Sequence, residues 1–294
     1  MNRATGLLLL TAFIVFTSAT RVAAAEAEAA PVAMTTDVQG AAWLIEGSKK
    51  SKLGLMAYLG SGATLRLEAG ARISVTYFAM PREFSLSGPA QAIIEAERLR
   101  TVNGAAPVMR NLDQNKVAAG QQFTAKQRER QTVATFEMKA FVPGTLQLRQ
   151  PVDTRLLGAP EEFSWRPLLG AKSYRFQLMD AQGRLLYSAE STVRNLRLPE
   201  SVKLQPGQSY SWTVEAQGAA GEPQNANAGF SLVDTATAGT LEAQRPLATA
   251  GFSERLLYAS LLENAGLKVA AQTWWKALAS ERPEDEMLQE LANR

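Results

Sequence analysis

The chain has 294 residues, 20% of them charged, with 31 Lys and Arg against 28 Asp and Glu and a formal net charge of +3. It contains no Cys and no His, which removes disulfides, thiolate ligands and every Ser-His or Cys-His arrangement for nucleophilic catalysis. Stability must therefore come from apolar cores, and this length suits two domains or two plus an appendage.

The first 25 residues read as an export signal. Arg3 starts it, Leu7 to Phe16 form a short apolar stretch, and Ala23-Ala24-Ala25 offers small residues for cleavage. A spanning helix needs about 20 apolar residues, so no stable membrane insertion is expected once the signal is removed. An uncleaved signal would instead make the chain a membrane-tethered sensor. Arg3 and Arg21 leave with the signal and no acid does, so 269 residues remain with 29 basic against 28 acidic groups. That balance exerts no global pull on nucleic acid or anionic membrane, and no nucleic-acid partner is expected.

Residues 26–37 are rich in alanine and predict a flexible mature start, with structure beginning near Val38. Ala42-Trp-Leu-Ile, Ala63 to Glu68, Arg72 to Phe78, Glu83 to Ser87 and Ala92 to Glu95 then read as short strands between glycine turns. Leu65 and Leu67, then Ile73, Val75 and Tyr77, fall on alternate positions, so each strand has one core face and one wet face. With its Leu59-x-x-Gly62 turn and its Ser87-Gly88-Pro89 turn, this stretch resembles the FecR-type periplasmic domain. The resemblance covers about residues 38–97 and implies an all-β unit, taken here as 38–153 with a connecting helix. Full-type family members couple an outer-membrane receptor to an inner-membrane sigma-factor system. No cytoplasmic segment before a spanning helix is expected here, so that role is not carried over.

From Asn111 to about Arg130 the composition turns helical, with Asp113 early and Lys126, Arg128 and Arg130 late, as the helix dipole favours. It reads as a solvated connecting helix or as a basic docking face, and Gly120 is out of character in it. Strand alternation returns over Thr132 to Phe141 and Thr145 to Leu148.

Next, Phe163 and Trp165, then Tyr174, Phe176 and Leu178, then Tyr210, Trp212 and Val214 repeat the alternation, with turns at Asp180 to Gly183 and Pro206-Gly207. Residues 154–234 resemble a fibronectin type III domain. The resemblance implies a β-sandwich in which the Tyr210 hydroxyl caps a backbone bend just before its strand. It implies no particular function, since adhesion, spacing and docking all use this scaffold.

Residues 235–250 read as a linker, and residues 251–294 as a helical hairpin. Leu256, Leu257, Leu261 and Leu262 recur at helical spacing. Gly266, Ala271, Trp275, Leu278 and Pro283 resemble one tetratricopeptide unit with a following helix begun at Pro283. Such arrays need about three units to bury their faces, so this one is expected to pack on its own β-domains, a second copy or a partner.

No nucleophile elbow, phosphate loop or dinucleotide glycine pattern is present, and no catalytic, metal-binding or cofactor-binding residue is assigned. The carboxylate runs Glu95/Glu97 and Glu161-Glu162 read as solvated strand ends, and Glu284-Asp285-Glu286 as a helix cap. The candidate protein-binding residues are Lys49, Lys50 and Lys52, a charged hairpin tip or a contact for an anionic envelope polymer or lipid, together with Trp274. Trp274 sits about 100° round the helix from the core-type Trp275 and is either packed on the sandwich or an interface anchor.

The sequence thus predicts a mainly β fold: an all-β FecR-like domain plus a fibronectin type III-like β-sandwich, with a C-terminal α-helical hairpin. It predicts a non-enzymatic periplasmic scaffold binding another envelope protein or a second copy of itself. The alternative is a peptidoglycan- or carbohydrate-binding protein, in which two carboxylates could also process the sugar.

Overall fold

The structure, a computed structural model, describes residues 30–132, 145–219 and 221–294. It is mainly β, with several antiparallel sheets and a set of helices. The export signal expected over residues 1–25 and residues 26–29 lie outside the described residues.

The first β unit runs through β1 (Pro31–Gln39), β2 (Ala42–Glu46), β3 (Lys49–Lys52), β4 (Tyr58–Gly60), β5 (Thr64–Leu67), β6 (Arg72–Tyr77), β7 (Arg82–Ser87), β8 (Ala90–Ile94), β9 (Leu99–Asn103) and β10 (Val108–Asn111). Two five-stranded sheets result. The inner sheet has the order β10-β7-β6-β1-β4 and the outer sheet β3-β2-β5-β8-β9. The alternating residues Leu44, Leu65, Leu67, Ala92 and Ile94 of the outer sheet meet Ala33, Ile73, Val75, Tyr77, Phe84 and Leu86 of the inner sheet in one core.

Order begins earlier than the sequence suggests. Residues 31–37 are not a flexible start: they form most of β1, which lies between β6 and β4 with Ala33, Met34, Thr35 and Thr36 buried. Alanine and threonine carry little apolar signal, yet the strand is covered on both faces. A bulge between Thr35 and Asp37 offsets the pairing with β6 by one residue. The extra residue swings Asp37 to the side away from the β core, where it meets Arg282 at 3.2 Å.

That second side of the inner sheet carries the helices. α1 (Gln114–Thr132) follows β10, and α3 (Phe252–Asn264), α4 (Lys268–Glu281) and α5 (Glu286–Ala292) close the chain. Met34 from β1, Val117 and Phe123 from α1, Leu256, Leu257 and Leu262 from α3, Trp275 and Leu278 from α4, and Leu288 and Leu291 from α5 share a second core. α3 is buried almost all round, as a helix flanked by α1, α4 and β1 should be. α1 is accordingly a packed helix, not a solvated connector. Its glycine has a steric cause: a Cβ on Gly120 would lie 2.5 Å from Leu257 Cδ2 and 2.6 Å from Met34 Cε. The helical hairpin therefore finds its missing layer within the chain.

The second β unit contains β11 (Leu148–Gln150), β12 (Thr154–Leu156), β13 (Phe163–Trp165), β14 (Tyr174–Asp180), β15 (Leu185–Ser191), β16 (Asn195–Leu196), β17 (Ser209–Gln217) and β18 (Pro223–Leu232). A three-stranded sheet, β11-β13-β16, and a five-stranded one, β12-β18-β17-β14-β15, contribute to one core. Phe163, Trp165, Phe176, Trp212 and Phe230 pack there edge-to-face or tilted, except that Trp165 stacks on Phe176 at 6.5 Å. The Tyr210 hydroxyl accepts from the Gln205 amide at 2.6 Å and reaches the Gln205 carbonyl at 3.3 Å, across the bend the sequence marks. The unit starts before residue 154, because β11 pairs with β13 and not with the first unit. The strand expected over 132–141 falls outside the described residues, apart from Thr132, which ends α1.

Residues 235–250 are not a plain linker. Asp234 accepts from the Thr237 amide at 2.8 Å and caps α2 (Thr235–Ala243), a Thr- and Ala-rich helix with Leu241 buried in the helical core. The last helix begins at Glu286 and not at Pro283, with Asp285 as its cap, accepting from the Leu288 amide at 3.0 Å. Two bonds tie the second β unit to the helices: the Arg155 amide and guanidinium donate to the Gly266 and Ala265 carbonyls at 3.2 and 3.1 Å.

Candidate binding face

The three lysines of the sequence cluster start at the tip of the β2–β3 hairpin, where Lys49 closes a two-residue turn opposite Glu46, and run from there along the strand. They lie on β3, an edge strand of the outer sheet, hydrogen-bonded to β2. Each β2 partner is fixed by register: Lys52 opposes Trp43, Lys50 opposes Ile45, and Lys49 opposes Glu46. Trp43 in turn opposes Arg66 on β5, which opposes Gln91 on β8, while Ile45, Thr64, Ile93 and Arg100 form the parallel row. Period-2 alternation puts Trp43, Ile45, Thr64, Arg66, Gln91 and Ile93, with Lys50 and Lys52 beside them, on the solvent face because Leu44, Leu65 and Ala92 take the core, while Lys49, paired with Glu46, belongs to the opposite face. The result is a flat face with half-buried Trp43, Ile45 and Ile93 at its centre and cations on both flanks.

The charges on this face are not equivalent. Arg98 and Arg100 both grip Glu95, whose carboxyl they hold below its ordinary range, and Arg66 sits 3.7 Å from Glu68. Lys50 has no acid in contact; its ammonium stands 4.3 Å from the centre of the Trp43 ring, a cation–π arrangement that holds the charge over the middle of the face. Trp43 and Arg66 are the participants that sequence reasoning missed. Their signal was available in the same alternation that put Leu44, Leu65 and Leu67 in the core.

The other candidate, Trp274, belongs elsewhere. It lies half-buried on α4, edge-to-face with Tyr258 at 5.2 Å, in the helical layer that the inner sheet separates from the outer one. It packs within the helical layer and not on the sandwich. Trp275 occupies the core and stacks on Phe123 of α1 at 5.3 Å.

Several carboxylates are engaged in structural pairs. Glu83, 3% exposed, receives Arg110 at 2.8 Å and the Thr36 hydroxyl at 3.3 Å. Glu254 receives Lys116 at 3.2 Å. Both oxygens of Glu95 are taken by arginines, so it does not face Glu97 as a catalytic pair. Glu162 reaches Arg197 at 3.8 Å. Among the described residues no group of three or more Asp and Glu converges as a metal site, and no helix is long and apolar enough to cross a membrane.

Glu281 illustrates what such pairing does. Its carboxylate accepts a fork of two bonds from Arg255, which holds it below its ordinary value of 4.5. A depressed folded-state pKa contributes stability that is complete above the ordinary value and disappears as pH falls through the lowered one. The melting temperature is therefore expected to hold from neutral pH to about pH 5 and to fall below it. Glu281→Gln should melt lower at neutral pH and converge on the parent in acid. A constant gap between the two across the whole range, followed by calorimetry, would contradict this role.

No family model matches the sequence, and no curated protein matches it. Among solved structures, the crystal structure of CopC from Methylosinus trichosporium OB3b matches at 17% identity over 31% of this chain and 95% of that one, with a TM-score of 0.26. So slight a likeness bears on neither fold nor function.

Proposed function

We propose that the chain is a non-enzymatic accessory protein of the periplasm, a scaffold that holds an acidic partner protein against the solvent face of its outer sheet. In this reading the first β unit is FecR-like and the second fibronectin type III-like, and the helical layer fixes one relative to the other. The carrying observation is Lys50 poised over Trp43 among Lys52 and Arg66, an aromatic centre with uncompensated positive charge beside it. Aromatic and cationic side chains of this kind are enriched where partners anchor. The carboxylates support the same reading. A general acid needs a raised pKa, whereas Glu95, Asp234 and Glu281 are all held low by donors.

Replacing Lys50 and Lys52 together by Glu reverses the face without touching the core. Capture of envelope proteins by the purified chain should drop at least tenfold, with the melting temperature unchanged. Capture that survives the reversal would remove this face from the proposal. Peptidoglycan binding is the second reading, favoured by the half-exposed Trp43, since an indole ring can stack on a sugar. Sedimentation with purified peptidoglycan separates the two, because a protein-binding scaffold stays in the supernatant.

A further inference from the structure

The open sheets leave strand edges, and these edges are not alike. β3 carries three lysines, a common guard against edge-to-edge pairing. β4, β11, β12 and β16 have three residues or fewer, β10 has four, and β9 has five, with Arg100 among them and a bulge in its pairing with β8. β15 stands out. It is the seven-residue edge of the larger sheet in the second β unit, hydrogen-bonded to β14 on one side and to no strand on the other among the described residues. Its sequence, Leu185-Leu-Tyr-Ser-Ala-Glu-Ser191, has no Lys, Arg or Pro and a single charge. Leu185 and Leu186 are 55% and 39% exposed, and Val193 just beyond is 57% exposed. A long, nearly uncharged edge with exposed leucines is a template for another strand.

We infer that β15 pairs antiparallel with β15 of a second copy of this chain, about a twofold axis through Ser188, joining two five-stranded sheets into one of ten strands. A second copy fits better than an unrelated strand because the segment is self-complementary in this register. All seven residues find partners: Leu185 faces Ser191 of the other copy, Tyr187 faces Ala189, and Glu190 faces Leu186. The two Glu190 carboxylates are thereby kept apart. Each has Arg184 of the other copy as its diagonal neighbour on the same face, within reach of long side chains. Arg184 is 77% exposed at its side chain, so it is accessible to this contact while it holds Asp180. The twofold arrangement uses one patch on both copies and so closes on itself. It is independent of the cationic face, which lies on the other β unit.

The absence of Cys from the chain makes the test direct. In Ser188→Cys two thiols meet across the axis at a separation a disulfide can span. Mild oxidation should give a covalent dimer, while Lys203→Cys, exposed away from the edge, should stay monomeric. Sedimentation of the unmodified full chain should show a reversible monomer–dimer equilibrium. Leu186→Glu, which sets like charges opposite each other twice, should weaken it at least tenfold, and Leu186→Lys should strengthen it. Both are exposed substitutions, and melting curves check that each variant is folded. A chain that sediments as a monomer at every concentration, or a dimer indifferent to both Leu186 variants, would overturn the inference. So would a Ser188→Cys variant that forms no more disulfide than the Lys203→Cys control.

Discussion

Truncation after Thr249 is expected to unfold the first β unit and not merely to remove an appendage. The deleted residues supply α3, α4 and α5, the greater part of the core that covers the helix-facing side of the inner sheet. Without them Met34, Phe78, Val117 and Phe123 would face water together, an apolar patch that soluble chains rarely carry. The same cut removes Arg282, the partner of Asp37, and Glu254, the partner of the buried Lys116, and an abandoned buried charge is among the costlier defects. Circular dichroism of the truncated chain should lose its cooperative melting transition for this unit, or the chain should be insoluble. A soluble fragment with a sharp transition at the parent temperature would show that the helices are dispensable. Loss of partner capture by such a fragment would consequently not locate a binding surface on the helices.

Trp275→Ala should be the most damaging single truncation in the helical layer. The side chain is 1% exposed and stacked on Phe123, and emptying such a site costs about 3–5 kcal/mol. Trp274→Ala, one residue away, should cost only ~1 kcal/mol, chiefly the edge-to-face contact with Tyr258. Chemical denaturation resolves the two. Equal losses would mean that Trp274 is as deeply structural as its neighbour. A double-mutant cycle of Phe123→Ala and Trp275→Ala should show strong coupling, because the residues share one contact.

The contrast between these tryptophans also marks how far the sequence could be read. Trp275 was legible as core from its spacing to Gly266, Ala271 and Leu278, because helical periodicity is a local property. What covers it was not legible, since Phe123 lies more than 150 positions away and nothing in α1 announces its target. Gly120 was the clue: a residue that weakens a helix was present because Met34 and Leu257 press against the backbone there. Alternation disclosed β2, β5, β6, β13, β14 and β17, whose large side chains mark one face. It failed for β1, where Ala33, Met34, Thr35 and Thr36 are buried on opposite sides, and for β15, a wet edge with no consistent pattern. At the candidate face the lysines were visible as a run. Their grouping with Trp43 and Arg66 depended on strand order, which no local pattern contains.

The bulge in β1 has a bearing on how the molecule is made. By turning Asp37 toward Arg282 it joins positions 245 residues apart, and Met34 on the same strand waits for α3 to cover it. Contacts of such long range are slow to form and come late. A nascent polypeptide cannot complete its first layer until almost the last helix has been synthesised. Until then β1 lacks its cover, and the assembled molecule is held by a clasp between β1 and the end of α4.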